Sequence, residues 1–173
     1  MNITSFENFL SRELLLECQE VANSVLYIKE NRFRTSFAWE KNLSRESSPV
    51  LVYELGIENK ELFSKLKKEI KDKLNLYLEN ILIQYWDKLC YLDWHTDANY
   101  NSALTIYLNE VWKPHWGGYL LYKEDKDIKG IIPECNLAVL QPGGIPHCVT
   151  TINMGSDIRV SLQAFLGTSN KIL

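Results

Sequence analysis

Apolar residues recur at helical spacing in two places in the first half of the chain. In the second half they gather in short alternating runs. Leu14, Leu15, Cys18, Val21 and Val25 follow Ser11, a suitable cap, with Glu13 in the first turn, and predict a helix over 12–24. "VLYIK" (25–29) and "RFRTSFAW" (32–39) alternate and predict two strands, and "NLSRESSP" (42–49) predicts a polar loop ending at a proline. From Glu58 to about Tyr77, Leu62, Phe63, Leu66, Ile70 and Leu74 recur every three or four residues. This predicts a second, longer amphipathic helix whose lysine-rich segment "KLKKEIKDKL" (65–74) is its solvated face.

After Leu78 the period changes to that of strands. "NILIQYW", "CYLDWHTD", "ALTIYLN", "GGYLLYK", "KGIIP", "NLAVLQP", "HCVTTIN" and "IRVSLQAFL" are separated by turn-forming segments such as "EVWKPHW", "KEDKD", "PGGIP" and "MGSD". Eight such strands behind two helices predict a mostly β protein with flanking helices (α+β). Its architecture would be a β-sandwich or jelly roll with the two N-terminal helices packed on one face. With 173 residues and no repeat or linker, the expectation is one domain, 1–173, with helical support over 1–77 and a core over 78–168.

Composition narrows the partners. A hydrophobic fraction of 46% and an aromatic fraction of 12% describe a packed protein, and a net charge of −3 with intermixed signs predicts no nucleic-acid surface. No apolar run reaches the ~18 residues of a membrane span. The start "MNITSFENFL" has neither the basic region nor the cleavage site of an export signal, and the cysteines at 18, 90, 135 and 148 form no C-x-x-C pair. These features predict a soluble protein with reduced thiols in the cytoplasm.

The candidate chemistry starts at "DWHTDA" (93–98). On a strand, His95 and Asp97 project from one face, and Trp94 and Thr96 from the other. Only two further histidines exist, His115 and His147, and His147 follows the turn "QPGGIP". His95, Asp97 and His147 together make the two-His, one-carboxylate set of a non-haem Fe(II) oxygenase, which leaves three positions for co-substrate and O2. A catalytic zinc site of the same composition is the competing reading. Arg159 lies twelve residues beyond His147 in an apolar strand. Its planar fork suits a carboxylate, and Ser161, facing the same way, can add a hydroxyl. An exposed edge-strand arginine is the bland alternative.

In order along the chain, Tyr85 ten residues before His95, "HTD", "LTIYLNEVW", "WGGYLLY", "PGGIPHCV" and "GSDIRVSL" resemble the double-stranded β-helix core of the 2-oxoglutarate- and Fe(II)-dependent oxygenases. The similarity spans about Leu82 to Phe165 and is greatest to the prolyl 4-hydroxylase-like branch. The resemblance implies that His95, Asp97 and His147 bind Fe(II) and that Arg159 pairs with the distal carboxylate of 2-oxoglutarate. Tyr107 matches a tyrosine bonded to the same carboxylate, and Tyr85 matches another tyrosine of that pocket; an inward core aromatic is the alternative for each. O2 would be the oxidant, with ascorbate a candidate reductant.

The implied activity is hydroxylation of an unactivated C–H bond coupled to conversion of 2-oxoglutarate to succinate and CO2. Halogenating relatives carry a small residue where Asp97 stands, so hydroxylation is the expected outcome. The leading substrate is a prolyl residue in a protein or peptide, with a free amino acid or small metabolite as the alternative. Trp94, Trp112, His115, Trp116 and Tyr122 are candidates for the substrate entrance, and loops 29–50 and 110–117 for specificity. The interval from His147 to Arg159 is longer than usual in the family, with "NMGSD" forming an enlarged turn. A binding or sensor protein without turnover is the reading from another class.

Overall fold

The computed structural model describes residues 2–27, 34–36, 48 and 50–168. In chain order the elements are β1 (Thr4–Phe6), α1 (Arg12–Tyr27), β2 (Arg34–Ser36), β3 (Val50–Glu54), α2 (Leu55–Glu58), α3 (Lys60–Leu74), β4 (Tyr77–Trp86), β5 (Leu92–His95), β6 (Ser102–Tyr107), β7 (Leu120–Glu124), β8 (Asp127–Ile131), β9 (Ala138–Pro142), β10 (His147–Val149) and β11 (Arg159–Gly167). A 3-10 turn spans Pro114–Trp116 between β6 and β7.

The strands form two antiparallel sheets. The larger has the order β1-β9-β6-β11-β4-β3-β2 and the smaller β5-β10-β7-β8. From β4 onward the chain passes back and forth between the sheets, which folds it into a two-layer roll. The face of the larger sheet carrying Ile81, Ile83, Tyr85, Leu104, Ile106, Val160, Leu162 and Ala164 packs with Leu14, Cys18 and Ala22 of α1 and Leu62, Leu66 and Ile70 of α3. The opposite face looks into the roll. There Trp86 and Val52 meet Leu92 and Val149, while Tyr107 and Val139 meet Leu120.

The turn chemistry explains the helix limits. Asn59 caps α3 by accepting from Leu62 N–H at 3.0 Å, a contact of about 1 kcal/mol. Asn75 ends it in the left-handed region at φ 56°.

Several expectations change. The described N-terminal segment holds three helices, because an unpredicted short helix, Leu55–Glu58, precedes the predicted second helix, which starts after its Asn59 cap and stops at Leu74. α1 runs to Tyr27, so Val25–Tyr27 of the predicted strand "VLYIK" are helical: Val25 lands on the buried stripe begun by Leu14, Cys18 and Ala22. Of "RFRTSFAW" only Arg34–Ser36 is described and is a strand, and of the loop 42–49 only Ser48 is described. β1 and β3 were not predicted, being short runs without clear alternation. Among the described helices none is long and apolar enough to cross a membrane.

Candidate active site

His95 and His147 are Cα partners across β5 and β10, so both imidazoles leave the same, inward face of the smaller sheet. The register shifts by one residue between His147 and Val149, a bulge of the kind that re-aims side chains. The rings lie 4.1 Å apart, centroid to centroid. Nδ1 of His95 is 2.8 Å from the Asp93 carbonyl, and Nδ1 of His147 is 2.9 Å from that of Ile145. A carbonyl only accepts, so each Nδ1 carries the hydrogen and each Nε2 keeps its lone pair.

Asp97 lies just past the end of β5, so the turn, and not strand alternation, brings it inward. Its carboxylate oxygens stand 3.9 Å from His95 Nε2 and 3.7 Å from His147 Nε2. The three ligand atoms lie within 4.8 Å of one another. That spacing is too wide for mutual hydrogen bonds and suits a shared ion. Burial first, then the neighbouring His95, pushes His147 below its ordinary 6.5, which favours the neutral, ligating imidazole.

Gly143 is a further part of this arrangement. A Cβ there would lie 2.1 Å from Tyr100 O and 2.6 Å from Asp97 O, so only glycine lets the "PGGIP" turn approach the turn that carries Asp97.

Arg159, Ser161, Gln163 and Phe165 alternate along the inward face of β11. Phe165 stacks on Tyr100 at 4.2 Å, which puts the three-ligand cluster at that end of the strand and Arg159 at the other. The longer turn does not displace Arg159, which pairs in register with Trp86. Arg159 is 2% exposed, and burial draws its guanidinium down to about 10, still cationic at neutral pH. Nη1 donates to Gly118 O at 2.6 Å, while the buried Nε and the buried Ser161 Oγ have no partner. Two orphaned donors beside an unneutralised cation fit a carboxylate from outside the chain.

Tyr107 is buried with its ring 5.7 Å from the Arg159 guanidinium; burial raises its phenol and Arg159 opposes this. Tyr85 falls elsewhere. It alternates with Gln84 and Trp86, faces the helices, and donates to Ala22 O at 2.9 Å, with burial raising its pKa. The structure therefore moves Tyr85 away from the pocket expected for it.

Of the five entrance candidates, Tyr122 alone is in register with His147, half-buried on the same face. Trp94 is on the outer face, with the Lys123 ammonium 5.2 Å from its ring centre. Trp112 and Trp116 are packed in the core beside Trp86, and His115 is exposed against Trp116.

Sequence reasoning missed a polar strip on the same inward face, formed by the buried Gln84, Thr105 and Gln141 and the half-buried Gln163. Thr105 Oγ1 donates to Gln163 Oε1 at 2.8 Å, and Gln141 Nε2 has no partner. The signal was present as a polar residue at an alternate position in each of four apolar strands.

No family model matches the chain, and no curated protein matches it by sequence. Comparison of folds gives another result. A Pseudomonas putida prolyl-4-hydroxylase superposes with a TM-score of 0.74 at 17% identity, over 97% of this chain and 93% of that one. A 2OG-Fe(II) oxygenase family oxidoreductase from Burkholderia pseudomallei superposes with 0.69 at 13% identity, over 97% and 86%. The chain has the 2-oxoglutarate–Fe(II) oxygenase fold. The non-heme alpha-ketoglutarate-dependent epimerase SnoN of nogalamycin biosynthesis shares this oxygenase fold, with a TM-score of 0.70 at 11% identity over 95% and 77%. At these identities the likeness is one of fold, and the oxygenase fold hosts more than one reaction.

Proposed function

We propose that this chain is a 2-oxoglutarate- and Fe(II)-dependent dioxygenase that hydroxylates an unactivated C–H bond. One observation carries the reading. The interior holds a His-Asp-His cluster at one end and, at the other, a buried arginine for which the described residues supply no carboxylate. That arginine weighs against a zinc hydrolase, whose reaction calls for no dicarboxylate co-substrate.

In this reading His95 and His147, through Nε2, and Asp97, through its carboxylate, hold Fe(II). Arg159 and Ser161 take the distal carboxylate of 2-oxoglutarate, with Tyr107 beside them. When bound, iron, 2-oxoglutarate and O2 together supply the oxidising power for C–H hydroxylation, with succinate and CO2 as co-products. The chain supplies the rest. The carbonyls of Asp93 and Ile145 fix both imidazole tautomers, the low pKa of His147 keeps its Nε2 free of a proton, and the two apolar clusters exclude water around the arginine.

The whole chain, 1–173, then acts as one oxygenase domain, with 1–77 supporting a core at 78–168. A prolyl residue in a protein or peptide is the leading substrate, supported by the likeness to a prolyl-4-hydroxylase. A free amino acid or small metabolite is the alternative, supported by the shared fold of SnoN. Ascorbate would serve as reductant, and the four free thiols agree with a cytoplasmic location.

The test is succinate formation from 2-oxoglutarate with Fe(II) in air. The wild type is expected to produce it, and His95→Ala and Asp97→Ala are expected to lose it. Equal succinate production by either variant would remove the ligand assignment, and none from the wild type would favour the non-enzymatic reading.

A further inference from the structure

We propose that Trp86 is a positioning residue for the co-substrate, holding the Arg159 guanidinium against its ring so that the Nε edge is turned toward an incoming carboxylate. The inference rests on the reading of Arg159 as the co-substrate's anchor.

A buried cation without an anion needs stabilisation from elsewhere. The guanidinium carbon lies over the Trp86 ring, 4.4 Å from its centroid, and 5.7 Å from that of Tyr107. Of the aromatic side chains, tryptophan attracts a cation most strongly, and the attraction grows where water is excluded. Trp86 is itself fixed. It is the Cα partner of Arg159 across β4 and β11, donates from Nε1 to Gln84 Oε1 at 3.2 Å, and packs with Trp112, Trp116, Val149 and Ile152.

Gly118 holds one end of the guanidinium. Its carbonyl takes Nη1 at 2.6 Å, and its φ of +68° is a conformation suited to glycine. A Cβ there would come within 3.4 Å of Arg159 Cδ and 3.1 Å of Ile152 Cγ1. With Nη1 tied to Gly118 and the Trp86 ring against it, the guanidinium keeps Nε–H buried without a partner inside the protein. Ser161 Oγ, also unpartnered, occupies the next inward position on the strand.

Removing the ring frees a long side chain that must then be ordered by the ligand, which lowers affinity for any ligand bonded through that edge. The loss concerns the distal carboxylate alone. A 2-oxo acid without that carboxylate should not register it.

The experiment is calorimetric binding of 2-oxoglutarate and of 2-oxobutanoate to the Mn(II)-loaded protein without oxygen, for wild type, Trp86→Phe and Trp86→Leu. The preference for 2-oxoglutarate over 2-oxobutanoate is expected to fall roughly threefold in Trp86→Phe and roughly tenfold in Trp86→Leu, with Mn(II) affinity unchanged. If Trp86→Leu does not fold, Trp86→Phe carries the test alone, because its smaller ring attracts the cation less. An unchanged preference in the folded variants overturns the role of Trp86, as does an equal loss for both ligands. Failure of the wild type to bind 2-oxoglutarate overturns the reading of the site, and with it the inference.

Discussion

Gly143→Ala isolates the geometry of the metal cluster without altering a ligating side chain. The added Cβ would lie 2.1 Å from Tyr100 O and 2.6 Å from Asp97 O. Carbon–oxygen contacts ordinarily settle near ~3.3 Å, so a backbone shift of about 1 Å is required. Neither contact can be relieved by rotating a side chain, because both oxygens belong to the main chain. The turn carrying Asp97 and the turn leading to His147 must separate, also straining the Gly143 N–H to Asn101 O bond of 3.2 Å. Overpacking of this kind costs about 1–3 kcal/mol of stability, and a 1 Å misplacement of a functional group is worth up to ~10²-fold. Mn(II) affinity by calorimetry should therefore fall about 10- to 100-fold, with a lower Tm but an unchanged circular dichroism spectrum. Gly144→Ala is the control, since a Cβ there meets nothing within 4 Å, and it should bind like the wild type. Wild-type Mn(II) affinity in Gly143→Ala would refute the argument that this close approach sets Asp97 against His147.

Other substitutions separate the remaining roles. Arg159→Met should weaken 2-oxoglutarate binding roughly a hundredfold, the loss of a charge-assisted pair of bonds, and leave Mn(II) affinity intact in the same titration. Tyr85→Phe removes the bond to Ala22 O and should lower stability to denaturant by about 1 kcal/mol with no change in 2-oxoglutarate affinity. His147 has a folded pKa below 6.5, so the unfolded chain binds its proton more readily; the stability this group confers is present above 6.5 and lost as pH falls below it. Melting the metal-free protein across this window should show a smaller acid loss for His147→Gln than for the wild type.

The second half of the chain was legible because its strands are short, rich in β-branched and aromatic residues, and set off by turn residues. "ALTIYLN" and "IRVSLQAFL" are covered on both faces, so their composition and the turns around them, more than alternation, marked them as strands. The C-terminal limit of α1 was not legible, since Val25–Tyr27 satisfy a strand pattern and a helix stripe equally well. In the site, the two histidines and Arg159 could be read from order and spacing. Tyr85 could not, because its distance from His95 says nothing of parity, and the neighbouring Gln84 and Trp86 are the residues that face inward. Gly143 and the polar strip escaped notice because their roles depend on a main-chain approach and on partners from four separate strands, neither visible along one segment.

The most direct test of the site is the visible spectrum of the protein mixed with Fe(II) and 2-oxoglutarate without oxygen. A charge-transfer band that needs both additions, and that is absent from His95→Ala and Asp97→Ala, is the expected result. A wild-type spectrum that stays colourless, or a band that survives in either variant, would contradict the assignment of His95, Asp97 and His147 as the ligands of an iron that binds the co-substrate.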